Sequence, residues 1–252
     1  AKALKNLNRD REALEVVDRL IEVDPGNQKG QQMKLDLGDS LRKFTASFDH
    51  STEWFSDGRT PWQEEQIQLS RQTSMGSVIA RFDRAARFGL TSQMVEIDAY
   101  PHIRPGTYAY LNFGYSPDAN LYPQTRLGAD LFQSVGHGFE ATGGIRQLHF
   151  GGNVRIYTAA LTKYYGDWMF TARTYLTPGI VGTSRSGQLQ VRRYLGSGTD
   201  YFTVRVGYGS SPTEITELTD IQILNSQSFA AEFNHRAGRR WMFFAHFGYS
   251  YE

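Results

Sequence analysis

The residues able to do chemistry in this chain are mostly charged, and they recur at alternate positions. Arg81, Glu96, Asp98, Arg126, Asp130, Glu140, Arg146, Arg173, Arg205 and Glu232 each stand beside an apolar residue. Charges taken out of water need partners, and here both signs are present in near balance. Their chemistry is therefore ion pairing, or the lining of a polar passage. Catalytic readings fail on spacing. The six histidines (His50, His102, His137, His149, His235, His246) show no metal-ligand interval. His149 and Asn153 lie close in sequence, but no serine shares their face at strand spacing to complete a hydrolytic set. No glycine-rich phosphate loop joins a strand to a helix, and without cysteine there is no thiol chemistry. The expectation is a non-enzyme with no cofactor and no metal.

The elements that position these charges are strands. Val78, Ala80 and Phe82 alternate with Ser77, Arg81 and Asp83. Val95, Ile97 and Ala99 alternate with Glu96 and Asp98. Leu111, Phe113 and Tyr115 alternate with Tyr110, Asn112 and Gly114. Similar runs continue to Trp241–Tyr251. Successive residues of a strand face opposite ways, so each run has one apolar and one polar side. Ile79, Leu148, Tyr157 and Met169 are read as apolar residues on the polar parity, and 154–163 as a stretch able to hold a bulge.

A soluble sandwich alternates too, but three features point elsewhere. Many runs reach about ten residues, enough for a tilted strand to cross a bilayer. Aromatics such as Tyr100, Tyr115, Tyr164, Trp168, Tyr208 and Tyr249 gather near strand ends, where interfacial girdles lie. Full charges occupy mid-strand polar positions, which a sandwich core cannot hold. The mean hydropathy of −0.48 fits, because only alternate residues need be apolar. A formal charge of +1 gives no pull toward nucleic acid.

The predicted fold is an all-β transmembrane antiparallel up-and-down barrel over 41–252, in the outer membrane of a Gram-negative bacterium, with outer-membrane lipids around it. About thirteen runs can be traced. An even count puts both ends on one side, so twelve strands are preferred and fourteen is the alternative, with error placed in 150–165 or 210–226, where Ile215, Ile221 and Ile223 could hide a strand. Ser56–Pro61, Ser116–Asn120, Thr177–Ser184 and Gly209–Asp220 are expected as outer loops, and Arg71–Ser74 and Gly196–Thr199 as inner turns. Pro61 and Trp62 would anchor the first outer loop or form a binding surface there. The basic turn with Arg239 and Arg240 would be solvated or touch phosphate headgroups. Candidate lumen residues are Gln66, Gln68, Arg81, Glu96, Asp98, Tyr110, Asn112, Arg126, Asp130, Glu140, Arg146, Arg173, Arg205 and Glu232.

Residues 1–40 read differently. Ala13, Leu14, Val17, Leu20 and Ile21 recur at helical spacing, with Asn8 or Asp10 as a cap and Asp24-Pro25-Gly26-Asn27 as the stop. A second helix is expected over 28–36. The pattern resembles the end of one tetratricopeptide repeat and the start of the next. Such units need stacked neighbours, so either further repeats precede Ala1 or this piece leans on the barrel, with the segment in the periplasm; a plain amphipathic linker helix pair is the alternative. A few residues are likewise expected beyond Glu252.

Several phrases resemble the YaiO-type outer-membrane β-barrel family: WFSDGRTPWQE (Trp54–Glu64), ARFGLTSQMVEIDAYP (Ala86–Pro101), GTYAYLNFGYSP (Gly106–Pro117), KYYGDWMF (Lys163–Phe170), YLTPG (Tyr175–Gly179), RRYLG (Arg192–Gly196) and GYGSSP (Gly207–Pro212). That resemblance implies export of an exopolysaccharide, with polysaccharide and periplasmic export proteins as partners. Sugars would slide along Gln66, Gln68, Tyr108, Tyr110 and Asn112. The alternatives are a non-conducting barrel that anchors periplasmic repeats, its interior closed by ion pairs, and a passive small-solute porin.

Overall fold

The computed structural model describes residues 10–179, 182–196, 198–209, 213–215, 218–220, 226–238 and 241–251. Two helices come first, α1 (Asp10–Val23) and α2 (Gln28–Ser40). Asn27 caps α2, its Oδ1 accepting from the Gly30 N–H at 2.8 Å. The helices bury Ala13, Val17 and Leu37 against each other, flanked by Leu14, Ile21 and Met33. The expected cap Asn8 lies outside the described residues.

Eleven strands follow: β1 (Phe44–Glu53), β2 (Trp62–Thr73), β3 (Gly76–Arg87), β4 (Leu90–Arg104), β5 (Thr107–Tyr115), β6 (Thr125–Gly136), β7 (Phe139–His149), β8 (Asn153–Tyr165), β9 (Trp168–Gly179), β10 (Gly182–Tyr194) and β11 (Tyr201–Gly209). A short separate hairpin, β12 (Thr213–Ile215) and β13 (Leu218–Asp220), precedes β14 (Ser226–Ala237) and β15 (Trp241–Tyr251). All but β12 and β13 form one meander of thirteen antiparallel strands, in chain order from β1 to β15. Against the expected twelve or fourteen strands, the sheet has thirteen among the described residues. Alternation marks a strand wherever it runs, but whether the number is even is a property of the whole sheet.

The connections differ at the two ends of the strands. At one end lie 54–61, 116–124 and 210–225, together with shorter links. At the other lie the tight turns 74–75, 105–106, 137–138 and 166–167 and the six-residue connection 195–200. His137 and Gly138 both take positive φ, 51° and 74°, as a two-residue hairpin turn requires. Three boundaries move relative to expectation. Thr177–Gly179 and Gly182–Ser184 are paired strand rather than loop, and Arg71–Thr73 belong to β2. The register of β8 is unbroken; the irregularities fall at His102/Arg104 and Ser134/Gly136. Ile215 lies in β12, while Ile221, Ile223, Arg239 and Arg240 lie outside the described residues.

Over most of the sheet the two faces separate by burial. Phe48, Ile67, Ile97 and Phe113 are half or more exposed on one face, while Glu96 and Asp98 on the other are 3% exposed. Apolar surface of this extent is a mark of contact with lipid or another protein. Ile79, Leu148 and Met169 lie on the polar face. Tyr157 does not: it pairs with Ile145 and Leu176 on the apolar face.

Candidate functional site on the polar face

Residues directly opposite in an antiparallel ladder share a face, and the register gathers the candidates on one. Gln66 pairs with Asp83, Gln68 with Arg81, and Arg81 with Glu96. Asp98 pairs with Asn112, Tyr110 with Asp130, and Gly128 with Arg146. Glu140 pairs with Thr162, Arg173 with Gln188, Arg205 with Gln190, and Glu232 with Thr203. Arg126 joins this face through its partner Gly114.

From β3 to β7 most of these groups form one network, and a separate Gln66–Asp83 contact joins β2 to β3. Gln66 Nε2 donates to Asp83 at 2.7 Å. Arg81 bridges Glu96 at 2.9 Å and Asp98 at 2.8 Å. Asn112 Nδ2 and the Tyr110 hydroxyl donate to Asp98 at 2.7 and 2.9 Å. Arg126 Nη1 donates to Glu96 at 2.9 Å, and Arg146 makes a two-pronged contact to Asp130 at 2.7 and 2.9 Å. The Arg146 guanidinium also lies 5.0 Å from the centre of the Tyr110 ring. In β10–β14 a smaller set holds Glu232 between Arg205 and Arg192.

Three polar-face glycines make room for these side chains. Glu96, Gly114 and Arg126 stand in one row across β4, β5 and β6. A Cβ on Gly114 would lie 2.8 Å from Glu96 Oε1 and 3.3 Å from Arg126 Cβ. The missing side chain lets Arg126 reach over β5 to Glu96. Gly128 lies beneath the Arg146 side chain, and Gly144 beneath Asp130.

The candidate set left out Glu64, Asp83, Arg87, Arg192 and Thr203, although the alternation already puts Asp83 on the polar side. All are on the polar parity, so counting from Gln66, Arg81 or Arg205 would have found them. Glu64 pairs with Arg87, whose guanidinium lies 4.9 Å from the centre of the Trp62 ring. Trp62 is buried at the start of β2, edge-on to Phe55 and Phe88 at 4.6 and 4.7 Å. It anchors its loop from below. Two apolar clusters also interrupt the polar face near the loop end: Ala85, Met94 and Tyr122, and Leu148, Ile156 and Tyr175.

In the loops, Arg59 holds the Asp57 carboxyl below its usual range through side-chain bonds of 2.5–3.0 Å and its own backbone N–H. Burial pushes the Tyr122 phenol above its ordinary value.

Near the turn end, a cleft of about 190 Å³ opens on the polar face, lined in part by Tyr108, Phe132, Glu140, Tyr164, Arg173 and Gln190. The described residues contain no group of three or more His, Cys, Asp or Glu placed to hold a metal.

Long meandering strands with one charged face and one exposed apolar face define a protein whose strands, not helices, meet the membrane. Residues 43–214 match the model of the YaiO membrane beta barrel domain, and the chain belongs to that family. No curated protein sequence matches it. Among solved structures, a KdgM porin is similar at 10% identity and a TM-score of 0.46, over 66% of this chain and 91% of that one. OpdQ of Pseudomonas aeruginosa is similar at 11% identity and a TM-score of 0.41, over 83% of this chain and 77% of the other.

Proposed function

We propose that the sheet closes on itself as an outer-membrane barrel, with the polar face as its lumen, and that exopolysaccharide leaves the cell through it. Family membership supports a membrane barrel. Backbone groups at an open edge are too costly in lipid, so strands that span a membrane must close. Tight turns then belong in the periplasm and the longer connections outside. That orientation puts α1 and α2 in the periplasm, where tetratricopeptide-type stacking would dock export proteins. Lipids cover the apolar face. The reading involves no enzymatic step, no cofactor and no nucleic acid.

The observation that carries the reading is the asymmetry of the wall. From β2 to β7 most of the charges are locked in ion pairs. Around β8–β10 the wall presents Thr158, Thr162, Thr171, Gln188 and Gln190, hydroxyls and amides suited to a hydrated, hydroxyl-rich chain. The locked half favours a second reading, a non-conducting anchor closed by its ion pairs.

Planar-bilayer recording on the refolded chain separates these readings. Export predicts conductance that added polysaccharide blocks, and an altered current in Arg205→Ala and Arg126→Ala. Folded protein that passes no current would sink export in favour of the anchor. Current that polysaccharide leaves untouched would mark a passive porin.

A further inference from the structure

Carboxylates and guanidinium groups on the polar face mostly satisfy one another, but in the turn-end cleft they do not. The Glu140 carboxylate meets phenols instead of a cation: the Tyr108 hydroxyl donates to it at 3.4 Å, and Tyr164 lines the same cleft. The Arg173 side chain has no ion-pair or hydrogen-bond partner among the described residues. Both line the same cleft. Between them Thr162 and Thr171 share a hydroxyl–hydroxyl bond of 2.9 Å, and Gln188 and Gln190 extend the wall past Arg173. Tyr108 and Phe132 stack at one side, ring centres 4.4 Å apart and 3° from parallel.

Each part of the lining suits a different part of one ligand. A flat aromatic surface packs against the C–H face of a pyranose ring. A carboxylate and primary amides exchange hydrogen bonds with vicinal hydroxyls. A guanidinium with free donors takes a carboxylate in a two-pronged contact. We propose that this cleft binds a sugar acid, a pyranose bearing hydroxyls and one carboxylate. The proposal rests on the reading that the polar face handles saccharide, and names the kind of sugar.

Alternative ligands leave part of the site idle. A neutral sugar leaves Arg173 unanswered. A small anion leaves Glu140 and the stacked rings unused. The ligand's own charge need not meet Glu140, because Glu140 on β7 and Arg173 on β9 are separated by β8, a spacing of about 10 Å between strands. The carboxylate can sit at Arg173 while the hydroxyls face Glu140. At the turn end, the cleft would be the first part of the lumen that a chain leaving the periplasm meets.

Calorimetry on the full chain in detergent micelles tests this, with D-glucuronate, D-glucose and acetate as probes. The expected result is glucuronate binding about tenfold or more tighter than either of the others, a step of about 1.4 kcal/mol. Arg173→Gln should bring glucuronate down to the glucose level, and Arg173→Lys should restore part of the preference. Glu140→Gln should weaken both sugars by a similar factor. Circular dichroism checks that each variant keeps its strands. Glucuronate no tighter than glucose, or a preference that survives Arg173→Gln, overturns the proposal. Sugar-acid binding by a barrel that passes no current would defeat export and leave the cleft standing, whereas polysaccharide-blocked current with no sugar binding would do the reverse.

Discussion

Arg146 and Asp130 show what a single pair contributes to this sheet. Their side chains are 6% and 4% exposed, and Asp130 takes both prongs of the guanidinium. Removing one partner strands a charge; removing both does not. Asp130→Ala is therefore expected to cost about 3–5 kcal/mol, read as a lower midpoint in heat-induced unfolding of the micelle-bound chain. Asp130→Leu combined with Arg146→Met should recover most of that loss. A double variant as unstable as the single one would refute the pairing argument. That these residues share a face was legible, because alternation alone fixes it. Their partners were not. Arg126 finds its carboxylate two strands away, on β4, and no period in the sequence reports a contact that skips a strand.

At the scale of the element, the skipped strand is explained by glycine. Glycine inside a strand ordinarily weakens it, and its usual reading is a bulge or a close approach of another group. Here Gly114 stands between Glu96 and Arg126, and the close approach is that of their side chains. Gly114→Val should force them apart and destabilise the sheet by about 1–3 kcal/mol, the usual cost of overpacking. Gly143 supplies the contrast. It lies on the apolar face between Leu131 and Ala159, and a Cβ there would meet nothing within 4 Å. Gly143→Val adds a β-branched residue to an open strand position, so the unfolding midpoint should hold or rise. Equal losses at both sites would show that strand propensity, not the crossing side chains, sets the cost. From sequence the two glycines looked alike apart from parity. Only the register shows which of them lies beneath a charge.

At the scale of the whole molecule, the odd number of strands among the described residues decides how a barrel can close. β1 and β15 both start at the turn end, so they run in the same direction and any direct pairing between them is parallel. Asp49 on β1 and His246 on β15 both belong to the polar face, through their partners Gln66 and Glu232. Each lies within electrostatic range of the other's charge. A direct parallel seam makes a specific demand. In the cysteine-free chain, Asp49→Cys with His246→Cys should form an intramolecular disulfide on mild oxidation of the folded protein, seen as a shift in unreduced electrophoretic mobility. Asp49→Cys with Arg146→Cys, placed far around the sheet, should not. A fourteenth strand lying between β1 and β15 would set their backbones about 10 Å apart, beyond the span a disulfide bridges. Failure of the first pair to cross-link would then exclude direct closure and point to an inserted strand. The sequence could trace nearly every strand of this wall, but not its seam, because pairing between the first strand and the last leaves no local pattern in either.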